Sequence, residues 1–268
     1  MKDHDLLTIK KFSDYTGIKQ STLRHYDEIG LFKPTLRTEN GYRYYSAQQT
    51  ISVNLIIVLT NAGITVKTIK DFIEHRTPEQ IFTLLQGQIP ELNRELSRIQ
   101  HAYSIIHTYS EMIKEGIHAD IKKISVRLMP KTFIELGPIN DFSSGYLYNS
   151  YFYFLHRMEE RNINAAYPAG GYYNDIESFT KKPGQPDRYF SHIPIGSDVK
   201  EAGEYLVGYT KGFYGQIGDL PNRMNKYIKH NNLIITGPVY EMYLFDEVTV
   251  DNPDQYLIQI STPVKKLR

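Results

Sequence analysis

Residues 8–45 read TIKKFSDYTGIKQSTLRHYDEIGLFKPTLRTENGYRYY. Thr8 is a side chain that can accept the free N–H groups of a first helical turn, and Ile9, Phe12 and Tyr15 follow at the spacing of one buried helical face. Gly17 closes that helix, because the left-handed conformation of a C-terminal cap costs glycine little. A second helix opens at Gln20 or Ser21. Its Leu23 and Ile29 face the first helix, while Lys19, Thr22, Arg24, His25 and Tyr26 form a polar, partly exposed face. Pro34 then ends the helical pattern, and Asn40-Gly41 predicts a tight hairpin turn that presents Tyr42, Arg43, Tyr44 and Tyr45. A short helical hairpin alone fits many folds, but a basic-aromatic wing directly after it makes a winged helix-turn-helix, which can straddle a duplex groove. On such a surface arginine pairs with guanine or phosphate and tyrosine hydroxyls bond phosphate oxygens.

Working outward, Ser46 is placed to cap a third helix over Ala47 to Asn61, with Ile51, Leu55, Val58 and Leu59 as its core face. Gly63 breaks it, and Thr65 opens a short helix whose Lys67 and Lys70 either touch phosphate or stay solvated. The net charge of the 268-residue chain is only +1, which is not that of a bulk nucleic-acid binder. Through Arg76, however, 11 Lys and Arg stand against 8 Asp and Glu, a local excess in the direction of DNA.

Two segments of this region, RHYDEIGLF (Arg24 to Phe32) and GYRYYS (Gly41 to Ser46), stand at the spacing of the MerR family of transcription regulators, which the N-terminal third resembles. That resemblance implies that Arg24, His25 and Tyr26, and Arg43 with Tyr42 or Tyr44 in the wing, contact DNA backbone and groove. The family more often has tyrosine where His25 stands. It also implies a homodimer on a pseudo-palindromic promoter with over-spaced elements, acting on RNA polymerase indirectly by untwisting the DNA.

From Thr77-Pro78-Glu79, a cap followed by proline at the first helical position, a long helix is predicted to run to about Gly116. Leu85, Ile89, Leu92, Leu96, Ile99, Tyr103 and Ile106 follow at steps of 4, 3, 4, 3, 4 and 3, the repeat of a coiled coil. A long helix docked on its own domain is the alternative. Pro90 removes one backbone hydrogen bond and predicts a kink or a break.

Beyond about residue 119 the period changes to two, beginning with Ile124, Val126 and Leu128 of an edge strand. A duplication is visible at an offset of about 70 residues. FIELGPI (Phe133 to Ile139) matches GEYLVGY (Gly203 to Tyr209), and NINAAYPAGGYY (Asn162 to Tyr173) matches the segment ending at Met242. YFSHIPI (Tyr189 to Ile195) matches YLIQISTPV (Tyr256 to Val264). An amphipathic helix lies in each half, at Ser150 to Asn162 and Pro221 to Asn231, so each half reads strand–helix–strand–strand with a groove between the halves. The fold class is therefore α+β: a winged helix-turn-helix over 1–76, a dimerising coiled-coil helix over 77–118, and a duplicated ligand domain over 119–268.

Of the 22 tyrosines, 15 lie after residue 119, and there is no tryptophan. By period two, Val239, Glu241, Tyr243 and Phe245 share a face, which sets a carboxylate among apolar and aromatic side chains. Such a cage attracts a lipophilic cation, each well-placed ring adding about 0.5–2 kcal/mol. An unpartnered buried acid is costly, so Glu241 pairs with a ligand or with tyrosine hydroxyls, or takes a proton. Tyr146, Tyr148, Tyr151, Tyr167, Tyr172, Tyr205 and Tyr214 are further candidates for the pocket. PVYEMYLF (Pro238 to Phe245) and the strand order resemble the GyrI-like effector-binding domain, and its union with a MerR-like reader resembles the multidrug-sensing members of that family. The resemblance implies that Glu241 faces a cationic drug and that Tyr256 stacks on it.

There are no cysteines, and the nine histidines are scattered, so neither a metal site nor any cofactor is expected. GGYYND and GFYGQIGD lack the lysine of a phosphate loop. No signal-peptide core precedes the reader, and no apolar run approaches the roughly 18 residues that span a bilayer, so the expectation is a cytoplasmic protein without membrane contact. Two other readings stand beside ligand-responsive regulation: a ligand-independent repressor whose C-terminal domain binds a protein, and a small hydrolase using Glu241 as general base with a tyrosine acid.

Overall fold

Thr8 caps the first helix, its side-chain oxygen accepting the Lys11 N–H at 3.3 Å, and Gly17 closes it with φ +72°. The structure, a computed structural model, describes residues 6–75, 77–143 and 147–267, with His75, Leu147 and Tyr148 described by backbone alone. It forms two units, Met1–Arg98 and Ile99–Arg268.

The first unit runs β1 (Leu6–Thr8), α1 (Ile9–Thr16), α2 (Gln20–Glu28), β2 (Leu36–Arg37), β3 (Arg43–Ser46), α3 (Gln49–Asn61) and α4 (Val66–His75). The wing is a three-stranded antiparallel sheet in the order β1-β3-β2. Its turn is closed by Gly41 N–H to Thr38 O at 2.9 Å, with Gly41 at φ +79°. Tyr45 lies fully buried between Phe12 and Phe32, ring centroids 4.6 and 5.6 Å away, and this aromatic stack joins wing to helices.

Three expectations change here. Tyr15 is exposed: steps of three residues drift about 60° around a helix, so only Ile9 and Phe12 of that set reach the core. Helix α3 buries Val53, Ile56 and Leu59, while Ile51, Leu55 and Val58 are exposed. The segment is apolar nearly all round, and spacing could not choose between its two stripes. Ser46 ends β3 rather than capping α3, and its N–H donates to Thr35 Oγ1 and Gln49 Oε1 at 3.2 and 3.1 Å.

Helix α5 (Pro78–Ile117) is continuous through Pro90, whose fixed φ is compatible with a helix; the lost hydrogen bond and the crowding of the carbonyl four residues back do not end it. Thr77 caps it, accepting the Gln80 N–H at 3.2 Å, and Gln88 Nε2 donates to Ala62 O at 2.5 Å. The side chains from Leu85 to Ile106 that repeat every three or four residues are exposed by 39 to 68%.

The second unit continues with β4 (Ile124–Met129), β5 (Thr132–Leu136), α6 (Leu147–Glu160), β6 (Ala169–Tyr173), α7 (Ile176–Lys181), β7 (Arg188–His192), β8 (Asp198–Lys200), β9 (Gly203–Lys211), α8 (Leu220–His230), β10 (Leu233–Ile235), β11 (Val239–Phe245) and β12 (Leu257–Lys266). One antiparallel sheet takes the order β4-β9-β12-β11-β6-β7-β5-β8, and β10 pairs with β12. Along β11, Val239 enters the core under α7 and α8, while Tyr240, Met242 and Leu244 enter a separate cluster on the other face. The register against β12 shifts between Tyr243 and Phe245, so Phe245 leaves the Glu241 face and packs with that second cluster. It abuts Gly116, where a Cβ would come within 2.5 Å of its ring. Leu128 is also a correction: it is exposed at the end of an edge strand, opposite the exposed Glu204. Close strand approach elsewhere demands glycine, as at Gly170, whose Cβ would stand 2.5 Å from the backbone oxygen of Glu241.

Candidate functional site

In the first unit, α2 presents Arg24 and His25 to solvent, with Lys19 exposed just before the helix and Thr22 half-buried. Arg24 Nη2 donates to Gln20 Oε1 at 3.2 Å, one turn back. Tyr26 departs from the expected polar face. It lies three residues after Leu23, turns inward with it, and is buried in the helical core. Tyr42 is exposed at the wing turn, Tyr44 is half-buried opposite Thr8 and Leu36, and Lys67 is exposed in the first turn of α4.

Arg43 has a partner that spacing did not reveal. Its Nε donates to Asp27 Oδ2 at 2.6 Å, and Arg37 binds the same oxygen. Burial alone would raise the Asp27 carboxyl, but the hydrogen bonds and charges of Arg43 and Arg37 outweigh it and hold the group below the usual carboxylate range. Two wing strands are thereby tied to the end of α2, and Arg43 acts first as a strut. Asp27→Asn is expected to weaken DNA binding about fivefold, the equivalent of about 1 kcal/mol in wing placement. The sign is diagnostic, since removing an acid from a surface that merely faced phosphate would strengthen binding. A gel-shift titration with tighter binding by the variant would remove the strut from the account.

In the second unit, Glu241 is buried at 2% exposure on β11. Its two oxygens accept from two tyrosine hydroxyls, Tyr173 at 2.6 Å and Tyr243 at 2.5 Å. Each hydroxyl oxygen in turn accepts a glycine N–H, from Gly184 at 3.0 Å and Gly215 at 2.9 Å. Two backbone donors are thus relayed through tyrosines onto one carboxylate. Burial pushes the Glu241 carboxyl up, against the lowering effect of the two hydroxyls. Burial and the Glu241 charge push both hydroxyls up as well, which keeps them protonated as donors.

A cavity of about 360 Å³ opens beside this group. Gly171 faces Glu241 across the β6–β11 ladder, and its missing side chain leaves the space, since a Cβ there would lie 3.4 Å from Oε2. Of the expected residues, Tyr151, Tyr167, Tyr214, Glu241 and Tyr243 line it. Tyr214 packs on Tyr243 with centroids 4.6 Å apart and donates to Glu247 Oε2 at 2.5 Å. Asp246 and Glu247 add carboxylates to the wall, and among the described residues no lysine or arginine lines it.

A profile described as MerR HTH family regulatory protein matches residues 7–76. The Multidrug-efflux transporter 2 regulator of Bacillus subtilis is 27% identical over 266 residues, 97% of each chain. Transcriptional regulator BrlR of Pseudomonas aeruginosa is 32% identical over 200 residues, covering 73% of this chain and 71% of that one. The chain belongs to the MerR family of transcription regulators. The solved EcmrR–DNA complex aligns with 97% of this chain and 100% of its own, at 18% identity and a TM-score of 0.39. The relatives are regulators rather than enzymes, so the hydrolase reading is set aside.

Three tyrosines expected in the pocket of this MerR-family chain lie elsewhere. Tyr172 turns to the opposite sheet face, edge-on to Tyr240 at 5.6 Å, because neighbouring strand residues alternate. Tyr205 lies on that same face. Tyr256 is buried behind the wall, against Phe213 and Tyr214 at 6.0 and 5.6 Å. Tyr146 and the side chain of Tyr148 lie outside the described residues. Sequence reasoning missed Tyr173, Tyr109 and Tyr189, and the acidic pair Asp246-Glu247 directly after β11 was the one available signal. No helix of the described residues is long and apolar enough to cross a membrane.

Proposed function

We propose that the chain works as a homodimer on a pseudo-palindromic promoter, takes a lipophilic cation beside Glu241, and activates by distorting the DNA, reaching RNA polymerase only through the promoter. The observation that carries the ligand class is the buried Glu241 carboxylate, held by tyrosine hydroxyls in a cavity with two further acids and no basic side chain among the described residues. Coulomb attraction and ring faces act together there on a cation with apolar substituents. The relative named for a multidrug-efflux transporter agrees with such a ligand.

The working division is a reader over 1–76, a dimerisation helix over 77–118 and an effector domain over 119–268. Lys19, Thr22, Arg24, His25, Tyr42, Tyr44 and Lys67 are assigned to DNA, Arg43 to wing placement and secondarily to phosphate. The effector domain is assigned to the GyrI-like class as a duplicated β-α-β-β unit. Two features support this: the strand order runs β9-β12-β11 and then mirrors it as β6-β7-β5, and α6 and α8 are each followed by a left-handed asparagine, Asn162 and Asn232.

Activation requires that the ligand bind the DNA-distorting state better than the resting one, otherwise no population shifts. In a thermal-shift screen, tetraphenylphosphonium and related lipophilic cations are expected to raise Tm in a concentration-dependent way, and neutral analogues of the same size are not. No shift with any cation would favour the ligand-independent repressor instead.

A further inference from the structure

A second cavity, of about 890 Å³, lies on the other face of β11, where Met242 and Leu244 line it rather than Glu241. Its floor holds Lys200, the last residue of β8, which is buried at 4% exposure. Lys200 Nζ donates to Ser261 Oγ at 3.1 Å and stands over the rings of Tyr240 and Tyr205, 4.4 and 4.9 Å from their centroids.

The charges facing it are already committed elsewhere. Glu111 pairs with Lys114 at 3.4 Å, and Glu115 pairs with Arg127 at 2.6 Å. Glu115 also accepts from Tyr209 and Gln259, each at 2.7 Å. Lys200 is left as a buried ammonium without a carboxylate within ion-pair distance among the described residues. Two ring faces and one neutral hydrogen bond replace the water of such an ion only in part, and none of them neutralises its charge. An incoming anion would. Burial lowers the Lys200 ammonium to about 8 and, with the Lys200 charge, lowers His192 beside it to about 4, so His192 is neutral and adds no competing charge at neutral pH. Met112, Met129, Met242 and Leu244 supply polarisable, apolar walls.

We propose that this cavity is a second ligand site, for a small organic carboxylate with an apolar body whose oxygen accepts a hydrogen bond from the Lys200 ammonium. The site is independent of the Glu241 cavity, so either assignment can fail without the other.

Calorimetric titration of the full chain with benzoate, naphthoate and octanoate is expected to give saturable binding, while neutral benzamide gives none. Lys200→Met should weaken carboxylate binding at least about tenfold, the value of a charge-assisted hydrogen bond, and leave tetraphenylphosphonium binding as in the wild type. Should that variant fail to fold, methionine-methyl NMR of the wild-type protein gives the same answer. Benzoate should then move the Met112, Met129 and Met242 signals and leave Met158 and Met224 in place. Absence of saturable binding by all three carboxylates, equal affinity in Lys200→Met, or shifts confined to Met158 and Met224 would each overturn the site.

Discussion

Replacing Glu241 by glutamine is expected to cut affinity for a lipophilic cation by about ten- to a hundredfold, the value of one buried charge-assisted contact. The same change is expected to raise Tm at neutral pH and to leave DNA affinity unchanged. Both effects follow from one group. The carboxyl is fully buried and raised above its ordinary 4.5 by that burial, so the folded protein holds its proton more tightly than the unfolded chain. Its contribution to stability is complete below that ordinary value and is lost as pH rises through the folded value. Glutamine does not ionise. The Tm advantage of the variant should therefore be absent near pH 4 and grow as pH rises above the ordinary value of 4.5. The amide oxygen can still accept from one tyrosine hydroxyl and its N–H can donate to the other, whose own proton must then turn away, the same arrangement that a protonated Glu241 imposes. Calorimetry with tetraphenylphosphonium reads the first effect, and melting curves across pH read the second. Equal cation affinity in the variant would take Glu241 out of the ligand site. A Tm difference independent of pH would show that the acid is ionised at little cost.

What the sequence made legible depends on how far away the deciding contact lies. Thr8, Gly17 and Gly41 act through their own backbone neighbours, so the caps and the wing turn could be placed from local chemistry. Glu241 was legible for the same reason, because period two sets it on a face with Val239 and Tyr243. The strut role of Arg43 is invisible to spacing because its partner, Asp27, stands 16 residues earlier on another element. Nothing local distinguishes the adjacent Tyr172 and Tyr173. The choice is made by the register in which Val239 pairs with Tyr173, and only that register points Tyr173 at an acid 68 residues away. Helix α3 is illegible for a different reason, because a segment apolar nearly all round carries little information about which side is covered.

The double substitution Leu92→Glu with Leu96→Glu is expected to leave the chain folded but monomeric. Both leucines are exposed in the single chain, so little native packing is lost within it. In a paired coil they would be covered in both copies. Four leucines at roughly 1.5 kcal/mol each come to about 6 kcal/mol, or about four orders of magnitude in dimer Kd, before any repulsion between the new charges. A seam of seven apolar positions from Leu85 to Ile106 would otherwise remain in water, an apolar surface that soluble chains seldom leave uncovered. DNA affinity should fall with the dimer by at least about a hundredfold, because one reader loses the avidity of two held on one site. Light scattering after size exclusion reads the first effect, and a gel shift on a palindromic site reads the second. Glu91→Ala, on a charged position paired with Arg94 beside the seam, serves as the control that should stay dimeric. If the double variant is still a dimer, the pairing surface lies elsewhere, and the exposed stripe of α3 at Ile51, Leu55 and Val58 becomes the next surface to charge. If it is monomeric yet binds the palindrome as tightly as the wild type, the helix sets the stoichiometry but not the grip, and the placed contacts of each wing and α2 hold the DNA alone.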